Sequence, residues 1–317
     1  MDFFERSTLR NGRYISLPEG GGKGLLDVLK WKLRSRPTPW PTWRDLPALP
    51  ERAEPLSNQV SVTWISHSTV LIKIDGFTIL TDPVFSDYAG PLPWLGVKRK
   101  TPPSHTIDSL PPIDVILISH NHYDHLDASS IRALVSLYNP LIVTPLGNGA
   151  LLKSLGSTRV TELDWWESVS VGPLLNIGVT PALHWSRRSL FDTCRALWGG
   201  FVIQNKSFKV FFAGDTGYHS HFKMIHQKFG PMDLSLLPIG AYEPRWFMKE
   251  FHMDPADAVQ AHLDLQSKLS VGIHFGTFQL TDEGIDAPVH DLEEALINAN
   301  IPSSHFIAPL LGQTIVV

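Results

Sequence analysis

The feature that most constrains this chain is a six-residue run, His120-Asn121-His122-Tyr123-Asp124-His125, placed directly after the apolar stretch Asp114–Ser119. A short, continuous apolar run of that kind reads as a buried strand, so the cluster sits at a strand's carboxyl end. Three imidazoles and a carboxylate within one loop suit divalent ions, because neutral imidazole and carboxylate are good ligands for zinc-like metals. Three further candidate ligands also follow buried runs: His184 after Asn176–Thr180, Asp215 after Lys209–Ala213 and His274 after Leu269–Ile273. Ligands of α/β sheets gather beyond the carboxyl ends of strands, so four such ends can converge on one pocket. Together they offer seven side chains, the set a two-metal site with open positions requires. Fourteen histidines against a single cysteine, Cys194, point the same way: nitrogen and oxygen ligands rather than sulfur.

The rest of the chain reads as a layered α/β body. Val60–Ile65, Thr69–Ile74 and Phe77–Leu80 are expected strands, the last two joined by a hairpin turn at Asp75-Gly76. Leu141–Thr144 and Asp233–Pro238 are further buried runs. Helices are expected over Ala128–Tyr138, over Pro255–Leu263 with Asp254 as N-cap, and over Asp291–Asn298. Strands come first as a meander and later alternate with helices, which predicts sheets packed between helix layers. Residues 1–56 differ in texture. They hold Gly20-Gly21-Gly22, read as a linker, and Arg36-Pro37-Thr38-Pro39-Trp40-Pro41, whose prolines forbid a continuous helix. An N-terminal extension, 1–56, and one catalytic domain, 57–317, are therefore expected.

Composition excludes several classes. Of 317 residues 43% are apolar and 18% charged, with a formal charge of −4, so there is no basic excess for nucleic acid. No apolar run is long enough for a membrane span, and residues 1–20 lack the apolar centre of a secretory signal. A cytoplasmic protein is expected, with contact at a membrane surface as an additional reading. A homodimer is left open. Neither a Ser/His/Asp arrangement, an activated Cys nor a phosphate-binding Gly-x-x-x-x-Gly-Lys loop is visible.

Five stretches carry a resemblance: Pro111–Asp127, Glu162–Glu167, Phe211–Tyr218, Pro238–Lys249 and Ile273–Phe278. The His-x-His-x-Asp-His run with a later His, Asp and His resembles the signature of the metallo-β-lactamase fold. The stretches outside it are similar to the N-acylphosphatidylethanolamine-hydrolysing phospholipase D family, from about Val60 to Asn300. The resemblance implies an αββα sandwich, two sheets between outer helix layers. It also implies that His120, His122 and His184 hold one metal, that Asp124, His125 and His274 hold the other, and that Asp215 bridges them. Two divalent ions, zinc by the resemblance and manganese or iron by ligand type, lower the pKa of a shared water towards about 7 and neutralise a phosphodiester's charge. The activity expected is hydrolysis of a glycerophospholipid of N-acylphosphatidylethanolamine type by attack of that hydroxide on phosphorus. A lactonase or phosphodiesterase of small phosphorylated sugars or cyclic phosphates is the alternative, and a non-catalytic metal-binding scaffold the second.

Around these ligands, Asp82 resembles the fold's supporting carboxylate, which accepts a ligand imidazole's second N–H. His252, before the helix opened by Asp254, is implied to face the phosphate and act beside Asp124 and Asp215 as a catalytic group. Glu250 and Phe251 depart from the family's pattern, which leaves substrate preference open. Tyr242 and Arg245 belong to the same motif and are expected near the substrate or in support of that loop. His67 is expected to make a structural hydrogen bond. In residues 88–103, read as a Pro-rich loop, Lys98, Arg99 and Lys100 are placed to steer an anionic headgroup and Trp94 and Leu95 to touch acyl chains. In Gly24–Arg34, Leu25, Leu26, Val28, Leu29 and Leu33 share one helical arc and Lys23, Lys30 and Arg34 cluster opposite. Such a stretch lies on a bilayer or docks on the body, and docking through the leucine arc is the expectation.

Overall fold

Side-chain alternation along single strands already separates two layers. In Thr69–Ile74, Val70, Ile72 and Ile74 enter one apolar cluster and Leu71 enters another. The computed structural model describes residues 4–16, 24–46 and 59–317. Its first seven-stranded sheet runs, in spatial order, Val160–Leu163, Leu141–Pro145, Val115–Leu117, Phe77–Thr81, Thr69–Ile74, Ser61–Ser66 and Thr314–Val316. Pairing is parallel as far as Phe77–Thr81 and antiparallel beyond it. The second sheet runs Ser168–Val171, Leu175–Thr180, Gly200–Gln204, Lys209–Phe212, Leu234–Pro238, Leu269–Ile273 and Phe306–Ile307. Its first three pairings are antiparallel and its last three parallel.

One core cluster contains the inner faces of both sheets, with Val62, Trp64, Val70 and Ile72 of the first beside Ile177, Val179, Phe201 and Ile203 of the second. The first sheet's outer face, with Leu71, Leu80 and Ile116, is covered by Ile131 and Leu134 of the helix Ala128–Tyr138. That helix starts at Asp127, whose carboxylate accepts from the Ser129 and Ser130 amides. Helices His221–Phe229, Pro255–Asp264 and Ala287–Asn298 send Phe222, Ala258, Val259 and Leu292 into the larger core. Asp254 accepts from the Asp257 amide and Pro255 opens its helix, as the sequence predicts. The result is the expected layered α/β arrangement of sheets between helices. Asp75 and Gly76 take φ of 49° and 78°, the geometry of a two-residue hairpin turn.

Three expectations are corrected. Residues 88–103 are not an open loop: Tyr88–Leu92 and Leu95–Lys98 form an antiparallel hairpin. Its strands touch where Gly90 faces Gly96, and a Cβ on Gly90 would sit 1.8 Å from the Leu95 carbonyl oxygen. Trp94 and Leu95 are exposed at its tip. Arg99 is no steering group, because it is buried, with Nη2 donating to the Val84 carbonyl at 2.6 Å and Nη1 to Ser66 Oγ at 3.1 Å. Finally, the helix Leu25–Arg34 does dock, but through Trp31 and, of the apolar arc, Val28 rather than Leu26, Leu29 and Leu33. Trp31 stacks on Phe247 at 4.8 Å and Val28 is half-buried, whereas Leu26, Leu29 and Leu33 are 80%, 54% and 78% exposed.

The described N-terminal parts are bound to the body. Tyr14 N donates to the Cys194 carbonyl (2.7 Å), Thr38 N to that of Asp282 (2.8 Å) and Arg44 N to that of Lys100 (2.8 Å). The Gly20-Gly21-Gly22 linker, Lys23 and the expected boundary after residue 56 lie outside the described residues.

Candidate metal centre

All seven strand-end residues meet at one end of the two sheets. The loop after Val115–Leu117 brings His120, His122, Asp124 and His125, and the second sheet brings His184, Asp215 and His274 from beyond Leu175–Thr180, Lys209–Phe212 and Leu269–Ile273. His120 Nε2 lies 2.8 Å from His122 Nδ1, and His184 Nε2 lies 3.2 Å from that same atom. On the other side, Asp124 Oδ2 is 3.6 Å from the Nε2 atoms of both His125 and His274. Asp215 stands between: Oδ2 is 3.1 Å from His125 Nε2, 3.8 Å from His184 Nε2 and 4.0 Å from His120 Nε2, and Oδ1 is 3.1 Å from His274 Nε2.

Close approach of the two halves depends on a glycine. Gly214, just before Asp215, has φ +61°, and a Cβ there would sit 2.6 Å from Ser119 Cβ. Behind the cluster lies Asp82, fully buried, with φ of 31°. Its Oδ1 accepts from the Ser119 amide at 2.7 Å, and its Oδ2 accepts from Ser119 Oγ at 2.5 Å and from His125 Nδ1 at 2.7 Å. A carboxylate accepting at Nδ1 fixes a hydrogen there and turns Nε2 towards Asp215. Ser119 Oγ lies 2.9 Å from His120 Nδ1, so one carboxylate orients two imidazoles.

The donor set passes a direct fit test for divalent ions. Among the buried atoms with no hydrogen-bond partner are His122 Nε2, His125 Nε2, His274 Nε2 and Asp215 Oδ1. Buried polar atoms are seldom left unpaired, and such orphans turned towards one another are what an ion satisfies. His120, His122 and His184 form one group able to hold a metal, and Asp124, His125 and His274, joined by His67, form another.

Electrostatics agree with cation binding. Burial pushes His120 and His184 well below the ordinary imidazole range and His122 down to about 4, so these rings are neutral at pH 7. Burial also opposes charge on His274, but Asp215 and Asp124 overcome it and raise that ring to about 9. Asp215 and Asp124 are held well below the carboxylate range by the surrounding imidazoles, His125 foremost, against the effect of burial.

A cavity of about 780 Å³ opens over this cluster. Trp31, Trp185, Phe247, Met248 and Phe251 contribute to its walls, beside His122, Asp124, His184 and Asp215. His252 enters from the cavity side, with Nδ1 unpartnered and 3.9 Å from Asp215 Oδ2. Burial holds this ring at about 4. Arg245 does not line the cavity. It holds the His252 loop, donating to the His252 carbonyl at 2.9 Å and pairing with Asp254 at 2.9 Å and with Asp257. Tyr242, expected near the substrate or in support of the loop, donates its hydroxyl to Asp291 and is not among the residues that line the cavity.

Two supports went unread in the sequence. Arg188 donates to the Asn121 and Leu126 carbonyls at 3.1 and 2.7 Å and so straps the His120–His125 loop. Its only signal was its place four residues after His184. Ser119, the pedestal of His120, ends an apolar run and carries no signal of its own.

A family profile described as "Beta-lactamase superfamily domain" matches residues 78–275, and the chain belongs to that superfamily. A metallo hydrolase from the archaeon Ignicoccus hospitalis shares the fold, with a TM-score of 0.62 at 21% identity over 82% of this chain and 98% of that one. The protein is thus a metal-dependent hydrolase of the metallo-β-lactamase fold. Within the superfamily it belongs with the N-acylphosphatidylethanolamine-hydrolysing phospholipases D. It is 35% identical to N-acyl-phosphatidylethanolamine-hydrolyzing phospholipase D 1 of Caenorhabditis elegans, over 96% of this chain and 93% of that protein. It is also 38% identical to the mitochondrial N-acyl-phosphatidylethanolamine-hydrolyzing phospholipase D of Saccharomyces cerevisiae, over 78% of this chain and 54% of the yeast protein.

Proposed function

We propose that this chain is a phospholipase D-type phosphodiesterase acting on glycerophospholipids of the N-acylphosphatidylethanolamine class. The observation that carries the reading is the apolar cavity set directly over the His/Asp cluster, since a lipid needs acyl-sized apolar walls beside a centre that tolerates phosphate. His120, His122 and His184 would hold one divalent ion, Asp124, His125 and His274 a second, and Asp215 both, with zinc matching the donor set. Bound there, the ions would supply charge neutralisation at phosphate and an acidified water.

The chain's own groups do the rest. Asp82 and Ser119 keep His125 and His120 oriented. The aromatic walls hold acyl chains and exclude bulk water from the phosphate. Water oxygen bonds to phosphorus, the bond from phosphorus to the headgroup oxygen breaks, and that oxygen takes a proton. His252, neutral because burial holds its ring at about 4, is the group on the cavity side of Asp215 placed to take the proton that the attacking water loses and pass it to that oxygen. Phosphatidic acid and an N-acylethanolamine leave.

Contact with a membrane surface belongs to the same proposal. Elements that wall the cavity also expose apolar side chains: Val28 and Trp31 sit on the helix that presents Leu26, Leu29 and Leu33, and Ala89 on the hairpin that presents Leu92 and Trp94. Lys30, Lys32 and Arg34 add cations suited to anionic lipid. The test is metal-reconstituted protein incubated with a phospholipid panel, a cyclic phosphodiester and a sugar-phosphate lactone, with products identified by mass. Phosphatidic acid from N-acylated phosphatidylethanolamine supports the proposal; turnover of the cyclic phosphodiester or the lactone alone overturns it.

A further inference from the structure

His67 stands in the turn between Ser61–Ser66 and Thr69–Ile74, far in sequence from every residue of the cluster. Its ring is buried and its Nε2 donates to Asp124 Oδ2 at 3.1 Å. Its other ring nitrogen, Nδ1, is buried without a hydrogen-bond partner, so the imidazole is committed to a single polar contact. The ring lies against His274 at 4.0 Å, His125 at 5.5 Å and the edge of Phe278 at 5.2 Å, so it is packed on several sides.

The backbone is as constrained as the ring. His67 has φ of 47°, a left-handed conformation unfavourable for a side chain of this size. Three hydrogen bonds hold it there: its amide donates to Thr277 Oγ1 at 2.9 Å, and its carbonyl accepts from Trp64 Nε1 at 2.8 Å and from the His274 amide at 3.0 Å. Two of these three partners belong to the segment that carries His274. The turn is therefore fixed to the same strand end as one proposed ligand, while its ring reaches another.

We infer that His67 is a positioning residue for Asp124, holding the carboxylate at the angle from which it faces His125 and His274. The inference rests on the proposed role of Asp124 as a metal ligand. A carboxylate oxygen carries two lone pairs, so Oδ2 can accept from His67 and still face a cation. Groups behind a ligand typically change metal affinity 10- to 100-fold when removed.

The test uses four variants of the full chain, stripped of metal and titrated with zinc against a chromophoric chelator, with thermal melts alongside. Asn tolerates the left-handed backbone but its amide ends near the position of Nδ1, short of Asp124. Gln reaches the position of Nε2 and can donate. His67→Asn should lose about 10- to 100-fold at one of two zinc sites and nothing at the other, and His67→Gln should recover most of the loss. Asp124→Asn should weaken that same site. Should His67→Asn fail to fold, His67→Met, of similar reach but without a donor, takes its place against His67→Gln. Wild-type affinity in His67→Asn or His67→Met, with Asp124→Asn impaired, overturns the positioning role. So does equal loss in the donor and non-donor variants, which would point to His67 as a direct ligand. Unchanged affinity in Asp124→Asn itself removes the metal assignment and this inference together.

Discussion

Replacing Asp82 by Asn changes one atom of a fully buried side chain and should reverse the polarity of the support beneath the metal centre. The Ser119 amide is a fixed donor, 2.7 Å from Oδ1, so the new amide must keep its oxygen there. Its NH2 then takes the place of Oδ2, against Ser119 Oγ at 2.5 Å and His125 Nδ1 at 2.7 Å. A donor at Nδ1 moves the ring hydrogen of His125 to Nε2, the atom 3.1 Å from Asp215 that a metal needs bare. The expected loss is about 10- to 100-fold in affinity for one ion, or about 1.4–2.7 kcal/mol. Loss of the charge-assisted bonds costs a further ~1–3 kcal/mol of stability, about 2–5 °C of melting temperature for a chain of this size. Zinc titration against a chelator gives the first quantity and a melt of the metal-free protein gives the second. Asp82→Asn that binds two ions with wild-type affinity would refute the tautomer argument. A variant that merely melts lower with intact affinity would reduce Asp82 to a packing role.

Other expectations follow from single features. His252→Ala should lower kcat about 100- to 10,000-fold with metal content unchanged, checked by elemental analysis beside turnover of a soluble phosphodiester. Because His274 is raised to about 9 from 6.5, it carries a proton at pH 7.5 in the metal-free protein. Zinc loading should therefore release that proton, together with one from His125, which against the effect of burial Asp215 and Asp124 also raise well above the imidazole range. Affinity should rise with pH through about 9, as calorimetry in buffers of different ionisation enthalpy will show. The same raised pKa makes the metal-free fold's stability from this pairing complete below about 6.5 and lost through about 9. Leu26→Ser, Leu29→Ser and Leu33→Ser together should cut vesicle adsorption at least about tenfold without lowering the melting temperature, since these side chains are exposed. Trp31→Ala should instead lower it, because Trp31 stacks on Phe247.

Much of the centre was readable because its residues are local or follow apolar runs. His120–His125 is one loop, and His184, Asp215 and His274 each sit just past a stretch too apolar to be anything but buried. Asp254-Pro255 and Asp75-Gly76 were equally plain, since capping and turn chemistry act over two to four residues. What stayed hidden depends on contacts across the fold. The Tyr88–Leu92 hairpin looks like a loop because its close pairing needs glycine at positions 90 and 96, which a residue-by-residue reading takes for disorder of pattern. Arg99 looks like a surface cation until the Val84 and Ser66 oxygens are seen around it. On the wheel the leucines of Leu25–Arg34 define the apolar arc, and nothing local shows that the body offers its partner to Trp31, which stacks on Phe247, rather than to Leu26, Leu29 and Leu33. Tyr242 shares a motif with Arg245 but points to Asp291, on a helix some fifty residues away in sequence.

The central claim is that water attacks phosphorus over the His/Asp cluster, and the direct measurement is turnover of N-acylated phosphatidylethanolamine in oxygen-18 water by the metal-reconstituted protein. The account predicts one label in the phosphate of phosphatidic acid and none in the N-acylethanolamine. Label in a fatty-acid carboxylate, or in the hydroxyl of the released headgroup, would contradict it.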